Sequence, residues 1–581
     1  MRGPGARQPG RARAYRSQAV GTDSYSRPQG SFRADPGTSP ARPRSHRGDL
    51  LPRGRPRWQT ARVPQPYDPV ASPFRPLLLR GVRRVAVSGR RDEEPVDVRL
   101  ADGRVAEVGR RLAAAGAEVV DAGGSWALPG LWDQHVHLGQ WGMTFSRLDT
   151  AGAARPSDVL DQVAARVREL DAAGAPRQQV VTGFGHRTGA WWEPARVDEL
   201  DRVSGGHPVV LISGDVHSCW MSSAALSLLG LPPRTGPLEE LEWFQVQPRL
   251  LQLPGAAEQN EAGVAQAVRA AAARGVVGVT DFEFAANHRL WPRRLASAAL
   301  PLRVRAGVYP ELLEEVVALG LRTGSPLAPE HDPAGLLRMG PLKIISDGSL
   351  NTRTAWCCEP YATSSAQLAG QPTTGTVNYP AEQLADLLRR ATAAGLEVAV
   401  HAIGDAAVGA AADVFAATGA RGSVEHVQLA RVEDLARLAS LGVRASVQPV
   451  HLLDDRDVTE LNWPGRADRC FMFRTMLDLG VELRFGSDAP VAPLDPWQAM
   501  AAAVHRSGDD REPWHAEQAV TAAEALAAST DGVPALVPGA PADVVLVDRD
   551  PLAEQPGSAA VAAHLRSVQV LATVVAGRRT V

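Results

Sequence analysis

Apolar and polar positions alternate over Leu77–Val87, and the period returns at Val96–Leu100 and Val105–Val108, with Ala101–Asp102–Gly103 as a turn between them. Alternation of this kind predicts half-buried strands. A matching piece lies at the other end, where Asp543–Asp548 and Val568–Val575 are strand-like and Ala576–Gly577–Arg578 turns into a last strand. The two terminal segments, residues 76–126 and 535–581, are therefore expected to build one composite β-sandwich. Between them the pattern changes. Short β-rich runs alternate with helical stretches rich in Ala, Leu and Arg. The runs are Leu128–His137, Val276–Thr280, Val304–Val308, Leu342–Ser346, Glu397–His401, Ser423–His426, Arg444–Gln448 and Glu482–Phe485. Most are about 20–40 residues apart, the spacing of βα units in a parallel barrel. The expected fold class is α/β: a (β/α)8 TIM-like barrel over residues 127–534. An insertion at about 138–275 follows the first strand and is far longer than an ordinary βα loop.

Residues 1–75 carry no apolar period and are rich in Arg, Pro, Gly and Ser. Residues 1–70 hold 14 Arg against 4 Asp, a net charge of +10 in a chain whose total is −2. Such a segment cannot bury enough surface to fold alone. It reads as a disordered basic tail, translated from an over-long gene model, with a nucleic-acid-binding arm as the rival reading. The near-balanced charge of the whole chain predicts no nucleic-acid partner. No apolar run is long enough to span a bilayer, and no apolar signal segment opens the chain. The four cysteines match no zinc or redox spacing. A cytoplasmic protein with free thiols is expected, and a homodimer is compatible with the sequence.

One compositional feature is sharper. The chain holds 61 arginines and one lysine, Lys343. Arginine does not deprotonate in a protein and lysine can. The lone lysine therefore draws attention to a position where arginine would not serve, with chance survival as the alternative.

Catalytic groups of a TIM barrel lie at the C-terminal ends of its strands. His135 and His137 end the first run, Lys343 lies in the fourth, His401 and His426 end the fifth and sixth, and Asp488 follows the eighth. Residues i and i+2 of a strand share a face, so the HxH pair can offer two imidazoles to one metal. Each piece alone is weak. An HxH arises by chance in roughly a third of such chains, and a lone His after an apolar strand is more often a hydrogen-bonded core residue. Asp488 in FGSD would serve equally as a helix N-cap. The joint placement at one barrel mouth is what carries weight.

Together these segments resemble the metal-dependent amidohydrolase superfamily, in its family 3 branch of N-substituted formamide deformylase-like enzymes. The resemblance runs over about residues 77–580. It rests on LPGLWDQHVH, RGVVGVTDFE, KIISDGSLNTRTA followed by EPY, VAVHAIGDAAV, EHVQL, SVQPVH, RADR-x4-R, FGSDAPVAPLDP and the closing EALAAST…PGAPADVVLVDRDP. It implies metal ligation by His135, His137, His401, His426 and Asp488. It also implies a strand-four lysine, here Lys343, that CO₂ can carboxylate to N6-carboxylysine and that can bridge two metals. Imidazole and carboxylate ligands suit one or two Zn²⁺, with Mn²⁺, Fe²⁺ and Co²⁺ as alternatives. The implied activity is hydrolysis of a non-peptide C–N bond of a small molecule by a metal-bound hydroxide. Asp488 would be the proton shuttle, and His426 a ligand or a donor to the substrate oxygen. An ester or lactone hydrolase and an inactive scaffold are the other readings. The chain departs from the family where DGSLGSRTA becomes DGSLNTRTA, at Asn351–Thr352. It departs again in SGDVHSCWMSSAAL, where His217 is kept but Gly214, Val216 and Ser222 replace the usual residues. His217, Trp220, Glu240, Arg353 and His451 are the candidate substrate-binding residues.

Overall fold

The computed structural model describes residues 75–581, apart from 146, 189–190, 215, 217, 298–299 and 363–372, and without the side chains of 240, 241, 248 and 251. The tail, with both readings of it, and His217 lie outside the described residues, as does the side chain of Glu240.

Eight parallel strands form the barrel: Leu131–Val136, Val276–Asp281, Arg303–Val308, Leu337–Ile345, Val398–Ala402, Gly422–His426, Arg444–Val447 and Leu483–Phe485, paired in that order. The eighth meets the first through a backbone hydrogen bond from Asp488 N–H to His135 O (2.7 Å) and a parallel bridge between Val136 and Ala489. The result is a nearly closed TIM-like barrel. The strands are almost wholly buried runs, because parallel sheets are covered on both faces. The covering helices follow the expected stripe. Ala381–Ala393 buries Leu384, Ala385, Leu387, Leu388 and Ala391, one face of a 3.6-residue period.

The first expected strand divides in two. Trp126–Pro129 pairs with Val544–Val547 in the terminal sheet, whereas Leu131–Val136 pairs in the barrel. The chain changes sheets at Gly130, where a β-carbon would lie 2.3 Å from a Val277 methyl. The fourth strand starts five residues earlier than expected. Gly340–Pro341, just before the expected start, lies inside the strand at an irregularity in the pairing with the third strand. Glycine lets the two backbones close up there and proline needs no ladder donor.

Both chain ends share one sheet, in the order Arg578–Arg579, Val570–Val575, Val544–Val547, Trp126–Pro129, Leu77–Arg84, Val96–Ala101 and Arg104–Gly109, with Glu118–Asp121 against Leu77–Arg84. Leu79, Val82 and Val98 pack there with Val544, Leu546 and Val574.

The insertion is an α/β unit in its own right. Its sheet runs Leu238–Glu239, Ser218–Met221, Val209–Ser213, Val181–His186, Leu148–Asp149. Helices Pro156–Ala172, Val197–Ser204 and Ser223–Leu228 belong to the same unit. Its core holds Trp220, Trp243, Leu211 and Val163. The chain enters by helix Leu138–Thr144 and leaves by helix Ala256–Ala273. These helices cross so closely that a β-carbon on Gly263 would stand 2.3 Å from Gly142 O.

Candidate metal centre

The polar residues proposed from the strand ends lie together in one buried cluster. Lys343 is 1% exposed, His135 1%, His426 6% and Asp488 8%. Donor atoms of His135, His426 and Asp488 lie within 4.8 Å of one another, the geometry of a group able to hold one metal ion. His135 Nε2 is 3.5 Å and His137 Nε2 3.2 Å from Asp488 Oδ1. Lys343 Nζ is 3.4 Å from His135 Nε2. The rings of His401 and His426 are 4.4 Å apart.

His135 and His137 do not share a strand face. The strand ends at Val136, and His137 is the N-cap of helix Leu138–Thr144. It still turns Nε2 to Asp488, leaving its buried Nδ1 without a hydrogen-bond partner. The backbone is strained where the chemistry converges, with φ of +71° at His426 and +58° at Asp488. Non-glycine residues adopt this region rarely, at a cost of about 1–3 kcal/mol each. The turn at Asp488 directs its N–H to His135 O while its carboxylate faces the imidazoles.

Two neighbours that the sequence reading passed over set the imidazoles' direction. Glu425 Oε2 is 2.8 Å from His135 Nδ1, and Gln448 Oε1 is 2.8 Å from His426 Nδ1. An Nδ1–H held by an acceptor leaves Nε2 with its lone pair free, the tautomer a metal needs. Asp133 was also missed. Its Oδ1 accepts the N–H groups of His135 and Ser487 at 3.0 Å each, and so ties the first strand to the eighth. The signals were present, since Glu425 and Gln448 stand in EHVQL and SVQPVH.

The electrostatics agree with that tautomer. Burial, then the Lys343 charge, pushes His401 down to about 3 and lowers His135. Burial and the neighbouring His401 and His135 hold His426 well below its usual range. Burial works against charge on Asp488, but His135, His137 and His426 outweigh it and hold the carboxyl well below 3.8. His137 moves the other way. Burial opposes its charge, and the hydrogen bond and charge of Asp488 prevail and raise it. Burial pushes Lys343 down to about 8. No carboxylate ion-pairs with it among the described residues; its ammonium faces the Phe282 ring at 4.8 Å.

The substrate-side candidates separate. His451, first residue of helix His451–Asn462, has Nε2 4.0 Å from Asp488 Oδ2 and unpartnered. Arg353 is in the loop after the fourth strand, half-buried, with φ of +57°. Trp220 is a correction. It is 0% exposed in the insertion's own core, and its Nε1–H donates to Arg196 O at 3.1 Å, so no face of the ring is open to a substrate. Sequence order brought it near the mouth; the burial of a central strand took it away. Phe284, after the second strand, was not singled out. It is 49% exposed and stacks on His137 at 5.3 Å and on Tyr309 at 4.8 Å.

A near-closed parallel barrel with a His/His/Asp cluster at its strand ends defines a hydrolase of the amidohydrolase type. The profile of the Amidohydrolase family matches residues 118–581, and the chain belongs to that family. It is 27% identical over 529 residues to N-substituted formamide deformylase of Arthrobacter pascens, covering 83% of this chain and 94% of that protein. It is 24% identical over 502 residues to the putative amidohydrolase YtcJ of Bacillus subtilis, covering 79% and 90%. Among solved structures it is similar to an uncharacterized metal-dependent hydrolase from Pyrococcus horikoshii, with TM-score 0.70, 26% identity and coverage of 82% and 98%. No helix among the described residues is long and apolar enough to cross a membrane.

Proposed function

We propose that this chain is a metal-dependent amidohydrolase that cleaves a non-peptide C–N bond of a small molecule. The observation that carries the reading is the buried set of His135, His426 and Asp488 donors within 4.8 Å, with both imidazoles anchored at Nδ1. These residues fit a divalent cation. The imidazoles of His135 and His426 are held neutral, the carboxylate is held ionised, and a buried Nδ1 of His137 stands unpartnered. His135, His137, His401, His426 and Asp488 would hold it, and imidazole–carboxylate sets suit Zn²⁺. Lys343, buried beside His135 and lacking a carboxylate partner, suits conversion to a carbamate that would complete a two-metal site. When bound, the cation supplies Lewis acidity toward a scissile carbonyl and lowers the pKa of water at the site to about 7.

The side chains do the remaining work. Asp488 Oδ1, ionised and hydrogen-bonded to His137, takes the proton of the attacking water and returns it to the leaving nitrogen. His451 Nε2, facing Asp488 and unpartnered, is placed to hydrogen-bond a substrate heteroatom. Phe284 and Tyr309 offer an apolar wall on the His137 side. The deformylase relative supports an amide-type substrate. The test is elemental analysis of protein purified with added metal, followed by assays of formamides, N-acyl amino acids and esters side by side. Roughly one or two metals per chain and faster turnover of an amide are expected. Metal well below one per chain, or turnover of esters alone, would overturn the reading.

A further inference from the structure

Away from the metal centre, Arg147 has neither a carboxylate nor a carbonyl partner among the described residues. Arg147 follows helix Leu138–Thr144 at the foot of the insertion. Its Nε is buried and has no hydrogen-bond partner, and its Nη2 meets only the thioether of Met143, at 2.8 Å. Other partly buried arginines of this chain are matched. Arg294 lies 2.9 Å from Glu261, Arg303 2.8 Å from Asp543, and Arg234 2.6 Å from Glu242. Arg506, more deeply buried than these, is held by the carbonyls of Trp514 and Phe471. Arg147 has neither kind of partner among the described residues, although it lies in the part of the chain that carries excess negative charge.

Arg147 lines a cavity of about 30 Å³. Asn260, on helix Ala256–Ala273, lines the same cavity, is 8% exposed, and leaves its side-chain Oδ1 buried without a partner. Thr182 and Gln259 add further polar groups to a wall otherwise made of Val180, Val210 and leucines. Two residues that each carry an unmatched buried polar atom thus line one small space. A space of this size takes about two waters or one anion of three or four atoms. Water would satisfy the hydrogen bonds and leave the charge without an anion in contact, Glu283 acting on it only from a distance; a buried charge so placed costs more than an unmet hydrogen bond. The guanidinium fork matches a carboxylate-type anion. The terminal amide of Asn260 can turn to donate its N–H₂ to the same anion.

We infer that Arg147 and Asn260 form a binding site for a small monovalent anion, of the formate or halide class, at the junction of the insertion and the barrel. Such a site would lock the entry helix of the insertion to its exit helix. It is separate from the metal centre, and it stands whatever the barrel hydrolyses.

Thermal melts of the full-length, metal-loaded protein in sodium formate or sodium bromide, against sodium gluconate at the same ionic strength, test the site. The two small anions are expected to raise the midpoint saturably by about 2 °C or more, with no gain in gluconate. Arg147→Gln should flatten that dependence. An unchanged gain in Arg147→Gln would assign the anion to the metal centre and overturn the inference. If that variant does not fold, a bromide-soaked crystal of the unaltered protein decides. An anomalous peak beside the Arg147 guanidinium supports the site, and its absence there at saturating bromide sinks it.

Discussion

The barrel mouth and the insertion bury polar groups by opposite rules. At the mouth, charged and polar side chains crowd together. His135 answers Glu425, His426 answers Gln448, and Asp488 answers two imidazoles. In the insertion, the buried interior is an apolar core around Trp220, Trp243 and Leu211. A dense buried polar cluster with backbone strain at His426 and Asp488 is the arrangement that chemistry favours. An apolar core with its own sheet is a device for stability. The insertion can therefore change its surface and loops without disturbing the polar cluster.

The largest effect should follow from breaking the mouth at Asp488. Asp488→Asn removes the ionised carboxylate that faces His135 and His137, and should cut kcat by about 10²–10⁴ if proton transfer is its task. Steady-state assays on protein of verified metal content check this. A loss below tenfold would remove Asp488 from the role of proton shuttle.

Lys343 sharpens the contrast, because function and stability should part there. A buried lysine without a carboxylate partner opposes folding of the metal-free protein. Its folded pKa, about 8, lies below its ordinary 10.5, so between those values the unfolded chain binds more protons and stability rises with pH. The penalty is complete below pH 8 and fades toward 10.5. Lys343→Met should therefore stabilise the metal-free protein by about 1–3 kcal/mol near pH 7, and by less at pH 10, while abolishing activity. Denaturant melts at the two pH values give the answer. A metal-free variant no more stable than the unaltered chain at pH 7 would contradict the unpaired buried amine.

A smaller effect belongs to the neighbours that aim the ligands. Glu425→Gln keeps an acceptor for His135 Nδ1 but removes its charge. Metal affinity should fall by about 10–100-fold, as for other partners of ligating histidines. Competition against a chelator measures it, and an unchanged affinity would reduce Glu425 to a packing residue.

Such neighbours were hard to see in advance, for a physical reason. Fully buried parallel strands write themselves into the sequence as Val, Ile, Leu and Ala runs, so the register of Val398–Ala402 or Gly422–His426 could be read to within a residue or two. The barrel rule then delivered His401, His426, Lys343 and Asp488 to one end. What the hydrophobic pattern does not encode is backbone direction. The left-handed turns at His426 and Asp488, the helix cap at His137 and the strand continuing through Gly340–Pro341 leave no period behind. The insertion was illegible because strands as short as Leu148–Asp149 and Leu238–Glu239 carry no alternation. Its tryptophans could be sorted between core and pocket only by burial.

Trp220 gives the smallest expected effect and separates the two regions most cleanly. Its ring is fully enclosed and its indole N–H bonds a backbone carbonyl. Trp220→Phe should lose that hydrogen bond and leave a small void, lowering stability by about 1–3 kcal/mol. The His135, His426 and Asp488 cluster lies outside the core in which Trp220 packs, so kcat and KM measured well below the melting temperature should stay within about twofold. Were the indole a wall of the substrate pocket, KM would rise tenfold or more with little change in melting. That outcome would mean that the insertion's core opens to the barrel mouth when substrate binds.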